Sequence, residues 1–210
     1  GNRKMGCSVN ELKSEIIKTL KADYGYDVGE ATIRQMYGAV LMVVQQKLLD
    51  KRGRYLDQLK RNDKKRIYYM SMEFLVGRSL KNNLYNLSME AEMKQAVAEL
   101  GFDLDEIFEM EPDAGLGNGG LGRLASCYMD AATTMEYPIT GFSIRYEFGI
   151  FKQKIVDGWQ MEFPDNWLEM GGYWLVPRRD EAKEIHFDGE IKEEWSESGL
   201  KTTHLNYYSV

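Results

Sequence analysis

Between Asp113 and Ala125 the chain reads Asp-Ala-Gly-Leu-Gly-Asn-Gly-Gly-Leu-Gly-Arg-Leu-Ala, with five glycines in eight positions from Gly115 to Gly122. So many glycines suit neither a strand nor a helix interior, because each loses more backbone freedom on folding than any other residue. The run must be a connection. Directly after it Leu121, Leu124, Ala125, Tyr128, Met129 and Ala132 recur at helical spacing, so the connection is the entrance to a helix. Backbone N–H groups can crowd around a ligand where side chains are missing, and a helix N-terminus adds unpaired donors and positive potential. An anion, most naturally a phosphate, is the expected guest, and a flexible connection or tight packing of the helix on a sheet is the competing explanation.

The pattern Gly-x-Gly-x-x-Gly occurs twice here, from Gly115 and from Gly117. A dinucleotide fingerprint of that form follows directly on an apolar strand. The residues before this one, Phe108-Glu109-Met110-Glu111-Pro112-Asp113-Ala114, are acidic and broken by proline. A nucleotide triphosphate loop would end in Gly-Lys-Ser or Gly-Lys-Thr, whereas Gly122 is followed by Arg123-Leu124. Anion binding survives that comparison and dinucleotide binding does not.

Arg66–Phe74 is apolar on both alternating faces and bracketed by polar sequence, which predicts a strand buried on both sides. Glu73 lies at its end, and a carboxylate there is costly to bury unpaired. Its place at the carboxyl end of a sheet strand would set it near the glycine loop, while a pair with Arg78 is the structural alternative.

Helices are expected ahead of this strand. Ser8-Val9-Asn10-Glu11 reads as a capping box before Leu12, Ile16, Ile17 and Leu20, and a second helix should run from about Glu30 to about Lys51 on the stripe Ile33, Tyr37, Val40, Leu41, Val44 and Leu48. From Lys51 to Arg66 there are eight Lys or Arg, a stretch read as a solvated helix face and connection. Beyond the strand, Met89, Met93, Val97 and Leu100 lie on one helical face closed by Gly101, and Asp103 opens another short helix.

The last third changes character. Pro138 to Tyr146 predicts a strand; Asp157-Gly158 and Asp188-Gly189, each between β-rich segments, predict two tight hairpins, the second joining Glu184–Phe187 to Glu190–Lys192. Trp159, Trp167, Trp174 and Trp195 are read as packing residues rather than sugar platforms, and His186 and His204 are given no catalytic role. Leu205–Val210 reads as a strand that stops without turn or polar tail, as a truncated chain would end, with surface left open to self-association. Helices and a buried strand early, hairpins late, make this an α/β chain whose sheet is extended by antiparallel strands.

A net charge of −6 argues against a general nucleic-acid binder. The longest apolar run, Ala39–Val44, is far short of a bilayer span, so no membrane is expected. Two cysteines, Cys7 and Cys127, give no disulfide framework and fit a reducing cytoplasm, and with two histidines no dedicated metal site is expected.

At Arg66–Arg78 (RIYYMSMEFLVGR) and Asp113–Thr134 (DAGLGNGGLGRLASCYMDAATT) the sequence closely resembles the α-glucan phosphorylases, and Gly141–Leu168 and Ile185–Ile191 extend the match in order. The resemblance implies a retaining two-domain glycosyltransferase of the GT-B type that releases glucose 1-phosphate from an α-1,4-glucan with inorganic phosphate. Residues 1–65 would be a helical N-terminal segment and 66–210 the start of the N-terminal Rossmann-like half, truncated at its C-terminal end.

The resemblance further implies that Gly119, Gly120 and Leu121 offer backbone N–H groups to phosphate and sugar oxygens, with Glu73 and Asn118 in support. It implies a pyridoxal phosphate cofactor whose lysine lies beyond residue 210, a cytoplasmic homodimer when complete, and an inactive fragment. Where nucleotide-regulated animal members have a tryptophan and paired glutamines, this chain reads Arg52-Gly53-Arg54-Tyr55-Leu56-Asp57-Gln58-Leu59, so control by AMP is not expected. A non-catalytic module that holds phosphate or glucan is the alternative.

Overall fold

Ser8 and Glu11 close the capping box at the head of α1 (Val9–Thr19): the Ser8 N–H donates to Glu11 Oε2 at 2.8 Å, and the Glu11 N–H donates to Ser8 Oγ at 3.2 Å. The Ser8 N–H, and after it the Ser8 side chain, hold the Glu11 carboxyl below its ordinary range. The computed structural model describes residues 7–62, 65–205, 208 and 209. It divides into two units, Gly1–Trp174 and Leu175–Val210.

The second helix, α2 (Ile33–Arg61), starts later and ends ten residues beyond the expected Lys51. A short 3-10 turn at Val28–Glu30 fills the space before it, and a second capping box between Thr32 and Gln35 fixes its start. It runs on because Lys51–Arg61 is made mostly of good helix formers without proline. The basic stretch is thus largely an exposed helix face as far as Asn62, while Asp63 and Lys64 lie outside the described residues.

Helices α3 (Leu80–Leu87), α4 (Glu90–Glu99) and α5 (Leu104–Glu109) complete the helical core. Leu12 and Ile16 of α1, Tyr37, Val40, Leu41 and Val44 of α2, Leu80 and Leu84 of α3, Met93 and Val97 of α4 and Ile107 of α5 form one fully buried cluster. Gly101 follows α4 at φ +88°, and Asp103 caps α5 through the Asp105 N–H, both as expected.

No side chain of its own caps α3. Glu111, 3% exposed, does so from a distance: its two oxygens accept the N–H groups of Ser79 and Leu80, each at 2.9 Å, and Trp174 Nε1 donates to it at 2.7 Å. The last residues of this unit, α7 (Leu168–Gly171) and the turn Gly172–Trp174, lie against α2. Tyr37 donates to the Met170 carbonyl, Gln45 donates to the Tyr173 carbonyl, and Arg34 pairs with Glu169 at 2.8 Å.

Strand β1 (Ile67–Met70) pairs in parallel with β2 (Ile139–Phe142), Ile67 opposite Ile139 and Met70 opposite Phe142. Helix α6 (Gly120–Thr134) lies within the crossover between them. Both strands are shorter than their sequences suggest, and β1 is not buried on both sides: Tyr68 is 60% and Met70 84% exposed. A parallel strand is buried when neighbours and helices cover both faces, and β1 has one neighbour among the described residues. Tyr69 alone of its side chains leans inward, against Phe74 and Tyr128.

The hairpin of β3 (Lys152–Val156) and β4 (Trp159–Phe163) turns at Asp157-Gly158, with φ of +51° and +82°, which is the expected two-residue turn with both residues at positive φ. The second hairpin is a correction. Asp188 and Gly189 do take positive φ, but β5 (His186–Phe187) pairs with β8 (Tyr208–Ser209), and β6 (Glu190–Ser196) pairs with β7 (Gly199–Leu205). The seven-residue ladder of β6 with β7 outweighs anything a two-residue β5 could offer, and its turn is Glu197-Ser198, which carries no Asp-Gly signal.

Residues Asn206, Tyr207 and Val210 of the terminal segment, and the side chains of His186 and His204, lie outside the described ones. Trp167 is packed and Trp174 half-buried, but Trp159 and Trp195 stand more than three-quarters exposed, so the packing expectation holds for two of the four. The chain is thus a mixed α/β structure with small two-stranded sheets. Among the described residues no helix is long and apolar enough to cross a membrane.

Candidate functional site

The irregular segment after β1 and the glycine run are laced together by their backbones. The Phe74 N–H donates to the Leu116 carbonyl at 2.8 Å, the Leu75 N–H to the Gly122 carbonyl at 3.0 Å, and the Ala114 N–H to the Gly77 carbonyl at 3.3 Å. The glycines of the loop divide into two groups by what a side chain there would meet. A Cβ on Gly117 would come within 2.5 Å of the Leu75 nitrogen, and one on Gly115 within 2.4 Å of the Trp167 ring. These glycines are required by close packing, and none in the run needs a left-handed backbone. Gly119 and Gly120 are different: nothing lies within 4 Å of a Cβ built on either.

Gly117→Ala therefore pushes a methyl into fixed backbone rather than into a flexible side chain. It is expected to destabilise the chain by about 1–3 kcal/mol, the usual cost of overpacking, measured by chemical denaturation. A cost below about 0.5 kcal/mol would show that the two segments are not held as described.

Helix α6 begins at Gly120 with Gly119 as its cap residue, and a glycine cap supplies no side-chain acceptor. Its first internal bond runs from the Arg123 N–H to the Gly119 carbonyl. The N–H groups of Gly120 and Leu121 have no acceptor among the described residues, which leaves two donors and the positive end of a fifteen-residue helix at one place.

Glu73 sits beside this helix end. Its Oε2 accepts the Asn118 N–H at 2.6 Å, and its side chain packs on Gly122. Arg78 is not its partner: that guanidinium lies 3.0 Å from Glu109 and 3.9 Å from Asp113. The carboxylate thus ties the strand segment to the loop, one residue before the open glycines. Glu73→Gln can keep the acceptor but loses its charge, and should weaken phosphate binding by about 1.5–3 kcal/mol, the range for hydrogen bonds to charged groups. Titration of the variant with inorganic phosphate checks this, and wild-type affinity would make Glu73 a bystander.

A cleft of about 410 Å³ opens at this point, walled by Met72 and Glu73, by Asn118, Gly119 and Leu121, and by Tyr146 and Ile150. Leu121, expected to pack as part of an apolar stripe, is 61% exposed, so its contribution here is its backbone and not core packing. A larger groove of about 510 Å³ lies between α3 and α5, but Arg78, which lines it, is already engaged by Glu109 and Asp113. Unpaired backbone donors at a helix start are found at the smaller cleft.

Of the residues singled out in the sequence, Glu73, Asn118, Gly119 and Leu121 line this cleft, and Gly120 lies between the last two in the chain. The third wall was not expected from the sequence. Tyr146 donates its hydroxyl to the Met72 carbonyl at 2.9 Å, and Ser143 donates to the same oxygen at 3.1 Å. A conspicuous aromatic-glycine run, Tyr146-Glu147-Phe148-Gly149-Ile150, was the available signal.

The family model described as "Carbohydrate phosphorylase" matches residues 97–210, more than half of the chain. The chain is 41% identical over 202 residues to a glycogen phosphorylase of Chlamydia trachomatis, an alignment covering 94% of this chain and 24% of that protein. It is 43% identical over 185 residues to the muscle-form glycogen phosphorylases of sheep and human, covering 88% of this chain and 22% of each. The chain therefore spans about a quarter of the length of the curated relatives it matches.

Proposed function

The chain belongs to the carbohydrate phosphorylase family, and from that premise we propose that it is the N-terminal part of an α-1,4-glucan phosphorylase, the part that presents phosphate-binding N–H groups to the reaction. The observation that carries this reading is the pair of unpaired N–H groups of Gly120 and Leu121 at the start of α6, beside the Glu73–Asn118 bond and with Leu121 lining the cleft. In the reaction an oxygen of inorganic phosphate becomes bonded to C1 of the terminal glucosyl unit, the glycosidic bond breaks, and the departing 4-oxygen takes the proton that the phosphate gives up. Gly119, Gly120 and Leu121 hold phosphate and sugar oxygens by backbone donation, where the helix end offsets their negative charge. Glu73 fixes the loop through Asn118 and bonds no reacting atom. Phe74, Leu75 and Gly77 keep the loop in register with the strand segment.

Within this reading residues 1–65 are a helical lead-in and 66–210 begin the Rossmann-like half of a GT-B glycosyltransferase, which in complete form is a cytoplasmic homodimer acting on glucan without AMP control. The parallel β1–β2 pair with α6 in its crossover is the kind of unit from which such a half is built. The family's pyridoxal phosphate is attached through a lysine, and the cleft walls contain none. These residues do not fit the cofactor's attachment, and the chemistry assigned to the chain stops at binding and orienting phosphate and sugar.

The purified 210-residue chain is accordingly expected to form no internal aldimine with pyridoxal phosphate and to release no glucose 1-phosphate from maltodextrin. The product of the complete reading frame should do both. An aldimine absorbance band abolished by borohydride in the short chain, or phosphate-dependent release of glucose 1-phosphate by it, would overturn the division of labour. A complete reading frame that ends at Val210 would favour a non-catalytic phosphate- or glucan-binding module.

A further inference from the structure

Trp167 is 2% exposed, yet it belongs to no sheet and sits between the β3–β4 hairpin and α7. Its ring occupies the space a Cβ on Gly115 would need, with Cδ1 2.4 Å and Nε1 2.7 Å from that position. Its indole N–H donates to the Tyr146 carbonyl at 3.1 Å. One side chain thus touches the start of the glycine loop and the wall of the cleft formed by Tyr146 and Ile150.

Neighbouring contacts reinforce that wall. The Asp165 carbonyl accepts the N–H of Gly149 at 3.1 Å and of Trp167 at 2.9 Å, and the Asp165 carboxylate lies 3.4 Å from Lys152. A Cβ on Gly149 would fall 2.1 Å from Asp165 Oδ2, so the segment is drawn in as closely as glycine allows. On its other side the tryptophan packs against Gly171 of α7, whose neighbours Glu169 and Met170 are bound to α2 by Arg34 and Tyr37. The indole is therefore seated on a firm support rather than on the loop alone.

We propose that Trp167 is a positioning residue for the phosphate site: ring against Gly115 and indole N–H on Tyr146, it holds the glycine loop and the Tyr146–Ile150 wall at the spacing that leaves the Gly120 and Leu121 donors open to a ligand. It touches no ligand itself. The inference rests on the phosphate reading for its purpose and on geometry alone for its existence, and the two are separable by experiment.

The test uses the 210-residue chain with two variants, Trp167→Phe, which keeps a ring and loses the N–H, and Trp167→Leu, which loses both. Without ligand, amide exchange at Asn118, whose N–H is bound to Glu73, should be roughly tenfold faster in Trp167→Leu and intermediate in Trp167→Phe, while amides of Ile16, Val40 and Met93 keep their protection. With inorganic phosphate, the dissociation constant should rise about three- to tenfold in Trp167→Phe, the worth of one hydrogen bond, and further in Trp167→Leu. Unchanged Asn118 exchange in both variants, or protection lost equally throughout the helices, overturns the positioning role. Faster Asn118 exchange in the variants with no phosphate binding by the wild type supports positioning and sinks the phosphate reading.

Discussion

Gly120→Val is expected to remove phosphate binding from the cleft while leaving the thermal melt of the chain unchanged. Beyond the helix's own backbone and the adjacent residues nothing lies within 4 Å of a Cβ at this position, and valine is a better helix residue than glycine. The fold therefore has no reason to suffer. What the side chain does occupy is the space over the free N–H groups of Gly120 and Leu121, and a branched Cβ there shields both donors from an approaching oxyanion. Losing two hydrogen bonds to a charged ligand, at about 1.5–3 kcal/mol each, corresponds to a weakening of roughly a hundredfold or more. In the complete enzyme turnover should fall with it. A variant that melts like the wild type and binds phosphate like it would return the glycine run to a packing role.

Glu111→Ala should have the largest effect on stability. The carboxyl group is almost fully buried and serves three donors at once, the N–H groups of Ser79 and Leu80 and the indole of Trp174. Removing it leaves the N-terminus of α3 uncapped and the tryptophan without an acceptor, with the Leu80 N–H fully buried. A buried donor deprived of its partner costs on the order of 1–3 kcal/mol, and the loss at this site should total about 3–5 kcal/mol, since some water will enter the space left behind. For a chain of this size that lowers the melting temperature by roughly 6–20 °C. Glu111→Gln should recover little, because its amide nitrogen must face an N–H donor. A melting temperature within about 2 °C of the wild type for Glu111→Ala would show that the α3 terminus has another acceptor.

Glu111 also marks where reading the sequence alone fails. Its partners are 31, 32 and 63 residues away, and nothing in Phe108-Glu109-Met110-Glu111-Pro112 distinguishes the glutamate that is buried from the one that is exposed. The same holds for Trp167, whose role depends on Gly115 and Tyr146. What could be read was local. The Ser8–Glu11 capping box, the Gly101 helix end and the Asp157-Gly158 turn each rest on residues within a few positions of one another, and short-range sterics and hydrogen bonds decide them.

Burial and strand pairing are not local. The apolar alternation of Ile67–Met70 marked a strand correctly but could not say how many neighbours would cover it. Asp188 and Gly189 took the positive φ that the dipeptide favours, yet no hairpin closed there, and the partner of β6 was chosen by the length of the ladder available with β7. At the site, the glycines and Glu73 were legible because their chemistry is unusual for their setting. Which glycines pack and which stay open required the positions of Leu75 and Trp167.

The claim that the Gly119–Leu121 backbone is a phosphate site is tested most directly by titrating the nitrogen-15-labelled chain with inorganic phosphate and following each amide. Saturable shifts centred on Gly119, Gly120 and Leu121, a smaller one at Asn118, and their loss in Gly120→Val are expected. Shifts confined to the exposed basic face of α2 between Lys51 and Arg61, with the three loop amides unmoved, would contradict it.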